Sequence, residues 1–339
     1  MKLVKTEDAV GNVLCHDVTQ IIKGVKKGAL FKKGHIVTKE DIPLLLSIGK
    51  ENLYVWENDE TVMHENDAAM VLLSMCENEY MEHGSISEGK IELKSTIDGL
   101  LKIDTKALYA VNSFGQMMIA TRHNNTPVHS GDKLAGMRII PLVIEKEKME
   151  KVKEKVKGPI LTIKPYVLKK AAVITTGSEI YKGRIKDTFT PVIENKLQEY
   201  GCSMVYHEIC DDNDKMVTQK INDALELGVD IVLCTGGMSV DPDDRTPLAI
   251  KNTGANIISY GSPVLPGAMF LLSYKQEVPI VGLPGCVMYS KRTVFDLVLP
   301  RLLAKDIITS NELAQLGEGG LCLNCDICTY PNCGFGKGW

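Results

Sequence analysis

Two apolar runs that end in Thr/Gly turns constrain this 339-residue chain more than any other feature. The first, Ala171-Ala172-Val173-Ile174, leads into Thr175-Thr176-Gly177-Ser178-Glu179. The second, Val229-Asp230-Ile231-Val232-Leu233-Cys234, leads into Thr235-Gly236-Gly237-Met238-Ser239 and then Asp241-Pro242-Asp243-Asp244-Arg245-Thr246-Pro247. A short apolar run bounded by turn residues reads as a strand buried on both faces. A strand that passes through a glycine turn into a helix is the unit from which parallel α/β sheets build ligand sites. The glycines let backbone N–H groups approach an anion, and the hydroxyls add donors.

The alternation continues on both sides of these runs. Thr190 with Pro191 is expected to start a helix that reaches Tyr200 and stops at Gly201. Residues 203–209 read as a strand ending in Cys210-Asp211-Asp212-Asn213. Asp214 is expected to cap a helix through Leu227, with Met216, Val217, Ile221, Ala224 and Leu225 on its apolar face. Pro279-Ile280-Val281-Gly282-Leu283 reads as a further buried strand, and Pro284-Gly285 as the turn into a helix over residues 288–303. The expected fold class is therefore α/β, a three-layer α/β/α domain on a parallel sheet. Its ligand site should lie beyond the carboxyl ends of the strands. Thr176-Gly177-Ser178-Glu179, Cys210-Asp211-Asp212, Thr235-Gly236-Gly237-Met238-Ser239 and Pro284-Gly285-Cys286 all converge on that edge.

Ahead of this domain the chain is β-rich. Residues 1–57 read as a small α+β module punctuated by Gly24, Gly28, Gly34 and Gly49, with a short helix after Thr38 and a strand at residues 53–56. Residues 58–144 read as a mostly β module that includes a buried helix from Asp67 to Cys76. His64, His83, His123 and His129 share no ligand spacing and are expected to be loop or surface imidazoles. Residues 145–168, dense in Lys and Glu, read as a solvated helix or linker. Residues 169–308 are the α/β domain and 309–339 a cysteine-rich tail.

Composition excludes several classes. A net charge of −4 argues against nucleic acid or an acidic membrane surface as partner. No apolar run approaches the roughly 20 residues that span a bilayer, and residues 1–7 lack a signal-peptide core. A cytoplasmic protein is expected. Cys15, Cys76, Cys202, Cys210, Cys234 and Cys286 are scattered and read as small core residues.

The order of five motifs resembles the molybdopterin-binding domain shared by molybdopterin adenylyltransferase and molybdopterin molybdotransferase, the insertase. They are Thr176-Gly177-Ser178-Glu179, Gly183-Arg184-Ile185-Lys186-Asp187-Thr188, Asp211-Asp212, Thr235-Gly236-Gly237-Met238-Ser239 with Asp244, and Gly282-Leu283-Pro284-Gly285. The resemblance covers residues 169–306. It implies that the domain binds molybdopterin or its adenylylated form with Mg²⁺, and that the protein self-associates. Residue by residue, it implies functional acids at Asp211, Asp244 and Asp187. It implies cofactor contacts at Thr176, Gly177, Ser178, Glu179, Thr235, Gly236, Gly237, Ser239, Pro284 and Gly285. Read from the residues alone, Asp187 and Asp211 also suit helix caps, Gly236-Gly237 a plain tight turn, and Glu179 a surface acid. Residues 1–57 and 89–144 more faintly resemble the β-rich modules of the insertase. A similar domain occurs in competence-damage-inducible proteins, which act on pyridine nucleotides.

Four positions depart from the insertase pattern. Val264-Leu265-Pro266-Gly267-Ala268 lacks the family's two lysines, and Pro284-Gly285-Cys286-Val287 replaces a Pro-Gly-Asn-Pro turn. Phe189 stands where an Asn usually follows Asp-Thr, and Asp241 where a Gly usually follows Ser-Val. Fewer cations and one more acid suit a carrier or sensor, serving a molybdenum hydroxylase apoenzyme, as well as an insertase. In the tail, Cys322, Cys325, Cys328 and Cys333 fall within twelve residues. That density reads as a metal site, with an Fe–S cluster or Zn²⁺ allowed by ligand type.

Overall fold

The computed structural model describes residues 1–22, 26–56, 59–239, 241 and 244–338. Gly24, Pro242 and Asp243 lie outside the described residues. Packing groups the chain into two compact units. One comprises residues 1–94, 104–122 and 133–162; the other comprises residues 95–103, 123–132 and 163–339. This grouping cuts across the serial boundaries read from the sequence.

The first unit is mainly antiparallel sheet. Lys2–Lys5 pairs with Asn52–Val55 over a small core of Leu14, Val37, Leu45, Leu53 and Val55. A four-stranded sheet runs Met81–His83, Ile91–Ser95, Lys133–Ile139, Met117–Thr121. Helix Glu65–Ser74 buries Ala68, Ala69, Leu72 and Leu73. Two expectations need correction here. His64 is buried rather than superficial: its Nε2 bonds the Cys15 carbonyl at 2.6 Å and its Nδ1 accepts from the Asn66 amide, capping that helix. Residues 105–113 form a helix, not β structure, capped by Asp104, whose carboxylate accepts from the Ala107 amide at 2.9 Å. Residues 146–155 form the charged helix, largely exposed, with Met149 and Val152, three apart, turning one stripe inward.

The second unit carries the predicted α/β domain. Its elements are β1 (Lys170–Thr176), α1 (Thr190–Gln198), β2 (Ser203–Cys210), α2 (Asp214–Glu226), β3 (Ile231–Thr235), α3 (Thr246–Asn252), β4 (Asn256–Tyr260), β5 (Leu271–Lys275), β6 (Val278–Leu283) and α4 (Val294–Leu303). The sheet order is β2-β1-β3-β6-β5-β4. The first four strands are parallel, and β5 and β4 are antiparallel.

Side-chain alternation makes the layers. Ala171, Val173, Ile231, Leu233, Val281 and Leu283 face one core with α1 and α4. Ala172, Ile174, Val232, Cys234 and Ile280 face the other with Val217, Ile221, Ala224, Ala249 and Ile250 of α2 and α3. A strand buried on both faces has no polar positions to spare, so β1 and β3 read as continuous apolar runs. Each fully buried aliphatic side chain here contributes about 1.5–3 kcal/mol.

Local chemistry shifts two helix starts. Asn213, not Asp214, caps α2, accepting from the Lys215 and Met216 amides at 3.1 Å. The helix expected from residue 288 breaks in two. Gly285–Met288 is one 3₁₀ turn, and α4 starts at Val294 after a capping box between Thr293 and Asp296.

The cysteine-rich tail does not stand apart from this unit. Phe335 is buried in the α1/α4 core, and the Tyr330 hydroxyl donates to the Asp296 carbonyl at 2.8 Å. The Arg292 guanidinium lies 5.0 Å from the Tyr330 ring centroid and donates to Asp296 at 2.8 Å and Glu199 at 3.1 Å. The Lys291 ammonium donates to the carbonyls of Cys325 and Asp326.

Candidate functional site

Chain order dictates where the sheet opens. From β1 the chain moves outward to β2, then crosses back to β3 on the other side of β1. The carboxyl ends of β1 and β3 therefore flank a switch point, where helices leave in opposite directions and a crevice forms. Thr176 ends β1, and Thr235-Gly236-Gly237 ends β3.

Hydroxyls and glycines knit this edge. The Thr176 hydroxyl donates to the Thr235 carbonyl at 3.2 Å, and the Thr246 hydroxyl donates to the Gly236 carbonyl at 2.9 Å. Gly236 and Gly237 have φ of 80° and 56°, where side chains are strained. A Cβ on Gly236 would overlap the Thr176 carbonyl oxygen, and one on Gly237 would lie 2.7 Å from the Thr246 hydroxyl. Glycine is thus required twice by conformation and twice by space. The Thr235 hydroxyl, one residue earlier, is buried without a hydrogen-bond partner among the described residues. Such an orphan costs about 1–3 kcal/mol. The motif pattern assigns Thr246 no role; its position before Pro247 at a helix start is the signal that could find it.

The end of β2 joins the end of β1. The Ser178 hydroxyl donates to the Asp211 carboxylate, and the Ser178 amide donates to Asp212 at 2.8 Å. Those bonds from Ser178 and from the Asp212 amide, with Lys182 at 3.9 Å, hold the Asp211 carboxyl below the usual carboxylate range. Asp211 caps no helix. Glu179 is exposed.

Asp187 is committed to the start of α1. It accepts from the Phe189 amide at 2.8 Å, the Thr190 amide at 3.1 Å and the Thr190 hydroxyl at 2.6 Å. Burial pushes its carboxyl up, but these bonds bring it below the ordinary value. Thr190 sits inside the helix rather than capping it. The same cluster holds His207, whose Nε2 is 3.1 Å from the Thr190 hydroxyl, 3.3 Å from the Thr175 hydroxyl and 3.7 Å from Asp187. His207 carries no signal in the sequence, because only the parallel register of β1 and β2 brings it to Thr175.

Asp244 accepts from the Ser239 amide at 2.7 Å and closes the loop after Gly237. Burial and the nearby Asp244 charge both raise the Tyr260 hydroxyl, which donates to the Met238 carbonyl at 3.1 Å. The Pro284-Gly285 turn reaches the Asp187 loop through a contact of 3.2 Å from the Thr188 hydroxyl to the Met288 sulfur. Cys286 is half-buried.

Among the described residues no three His, Cys, Asp or Glu side chains gather as metal ligands. Cys325 and Cys328 are exposed, whereas Cys322 and Cys333 are half-buried against the core. Asp187 has both oxygens engaged.

Residues 172–304 match the family model of a probable molybdopterin binding domain. Residues 3–57 match the model of a domain of unknown function. A putative competence-damage inducible protein of Bacillus velezensis is 36% identical over 87 residues, 26% of this chain and 21% of that protein. A CinA-like protein of Mycobacterium tuberculosis is 31% identical over 77 residues, 23% of this chain and 18% of that protein. The matched stretch therefore spans about a fifth of these curated relatives. Among solved structures, the molybdopterin biosynthesis enzyme MoaB of Thermus thermophilus is 20% identical with a TM-score of 0.34, covering 41% of this chain and 98% of that one. No helix among the described residues is long and apolar enough to cross a membrane.

Proposed function

We propose that this protein handles the molybdenum cofactor, binding molybdopterin at the β1/β3 switch point. The terminal phosphate rests on the Gly236-Gly237 turn and takes a hydrogen bond from the Thr235 hydroxyl. The observation that carries this reading is the buried Thr235 hydroxyl, unpartnered among the described residues, beside two glycines that admit no side chain. The donor chemistry fits an anion: backbone N–H groups and hydroxyls line the turn. Mg²⁺, when bound, neutralises phosphate charge and would be held by Asp211 and Asp244. Asp187 positions the start of α1.

Molybdotransferase chemistry and simple carriage remain two uses of one site. Anaerobic titration with molybdopterin and with its adenylylated form, followed by Mg²⁺ and molybdate, separates them. AMP release marks an insertase, and saturable binding without release marks a carrier for a hydroxylase apoenzyme. Failure of both pterins to bind refutes the proposal. The competence-damage relatives favour a second reading, hydrolysis of a pyridine nucleotide, which assay of nicotinamide-nucleotide turnover tests directly. A tail metal, Zn²⁺ or Fe–S, requires residues 322–333 to rearrange; metal analysis of anaerobically purified protein decides it. Self-association is read by light scattering.

A further inference from the structure

The antiparallel sheet of the first unit bears a groove of about 490 Å³ over Lys133–Ile139 and Met117–Thr121. Pockets that take small ligands fall in the range of about 300–1,000 Å³. Its floor is low and apolar. Ala120 and Gly136 lie side by side across the two strands, and Met118 lies opposite Arg138. A Cβ on Gly136 would make ordinary contacts, with Lys90 Cε at 3.8 Å and the Ile91 carbonyl oxygen at 3.9 Å, so a small side chain fits there without a clash and the Lys90 stem borders the floor.

The rim is cationic. Lys90, Lys133, Arg122 and Arg138 line it against one carboxylate, Glu92. Lys90 and Lys133 grip Glu92 at 2.6 and 2.7 Å. Arg122 is oriented by a bond from its Nε to the Lys133 carbonyl at 2.6 Å. Arg138 lies 3.7 Å from Glu65. Four cations on one small face stand out in a chain of net charge −4. An overall negative chain repels long polyanions, while a local basic rim still attracts a compact anion. The flat floor of small residues, with a thioether and guanidinium groups around it, suits an aromatic ring.

We propose that this groove binds a small molecule of the mononucleotide class, its ring over Ala120 and Gly136 and its phosphate taking the place of Glu92 between Lys90 and Lys133. The proposal goes beyond the molybdopterin reading and stands without it.

The test is calorimetric titration of the full chain with AMP, inorganic phosphate and a single-stranded oligonucleotide, with hydrogen exchange to locate the site. AMP should saturate, bind at least tenfold tighter than phosphate, weaken with salt, and protect Met117–Thr121 and Lys133–Ile139. Gly136→Leu should reduce AMP affinity at least tenfold with the melting temperature kept. Lys133→Gln should reduce it several-fold, and it carries the test should Gly136→Leu unfold. Absence of AMP binding, protection confined to the β1/β3 edge, equal affinity for phosphate, or tighter binding of the oligonucleotide would each overturn the proposal. Molybdopterin affinity should be the same in Gly136→Leu as in the natural chain, so the two readings fail separately.

Discussion

The Thr246 hydroxyl donates to the Gly236 carbonyl at 2.9 Å, so the first residue of α3 and the glycine pair after β3 move as one unit. The Thr176 hydroxyl lies 3.4 Å from the same Thr246 oxygen, which extends that unit to the end of β1. Thr246→Val should loosen the turn by about 1 kcal/mol, the usual net worth of one such bond. Hydrogen exchange at Gly237 and Met238 would register the loss.

Gly237→Ala forces a side chain into φ of 56° and against the Thr246 hydroxyl. A cost of about 1–3 kcal/mol is expected from the backbone alone. Thermal unfolding measures it, and molybdopterin binding should fall with it. Gly285→Ala is the control, because a Cβ there meets nothing within 4 Å. It should leave stability nearly unchanged.

Asp306 gives the domain a definite acid response. Burial pushes its carboxyl up, but hydrogen bonds from Lys102 and Lys164 and the Arg301 charge bring it down to about 2. Lys102 is itself lowered, first by burial and then despite Asp306 by the Arg301 and Lys164 charges. The carboxylate faces three cations, so the cluster favours its charged form. A folded pKa below the unfolded value of about 3.9 stabilises fully above that pH and is lost as pH falls toward 2. The amount is on the order of 2 kcal/mol. In Asp306→Asn the stability curve should flatten between pH 4 and 2, and stability at pH 7 should drop by about 3 kcal/mol, because three cations lose their partner. Denaturant titrations across that range check both.

The tail should behave as part of the second unit. Phe335→Ala removes a ring from the α1/α4 core and should cost about 3 kcal/mol. Cys325→Ser and Cys328→Ser change exposed positions and should leave the metal-free protein equally stable. Equal melting of Phe335→Ala and the natural chain would show that the tail is separable after all.

Asp244→Ala removes the acceptor for the Ser239 amide. It should weaken Mg²⁺-dependent pterin binding without unfolding the domain. Titration at fixed pterin and varied Mg²⁺ reads this, and an unchanged Mg²⁺ dependence would remove Asp244 from the site.

What is legible in the sequence follows burial. β1, β3 and β6 are covered on both faces, so their apolar runs are plain, and the turns behind them follow. Helix Thr105–Ser113 is hidden because only Val111 is buried and its glycine-flanked context resembles the strands around it. The break before α4 has a readable sign, Thr293 three residues ahead of Asp296, that an apolar run masks. The tail's packing has no periodic signal at all, since Tyr330 and Phe335 act singly from irregular chain. At the carboxyl edge of the sheet, the glycine turns are the part legible in advance. The His207 cluster depends on pairing across the sheet, which single-chain patterns do not carry, whereas the engagement of Asp187 with Phe189 and Thr190 is local and matches the helix-cap reading.

The most direct measurement compares molybdopterin affinity and stability in the natural chain and in Thr235→Val. Valine keeps the shape and removes the buried, unpartnered hydroxyl. The free protein should then melt at the same temperature or higher, while molybdopterin binds at least tenfold more weakly. Equal molybdopterin affinity in the two proteins would contradict the placement of the pterin phosphate at the β1/β3 edge.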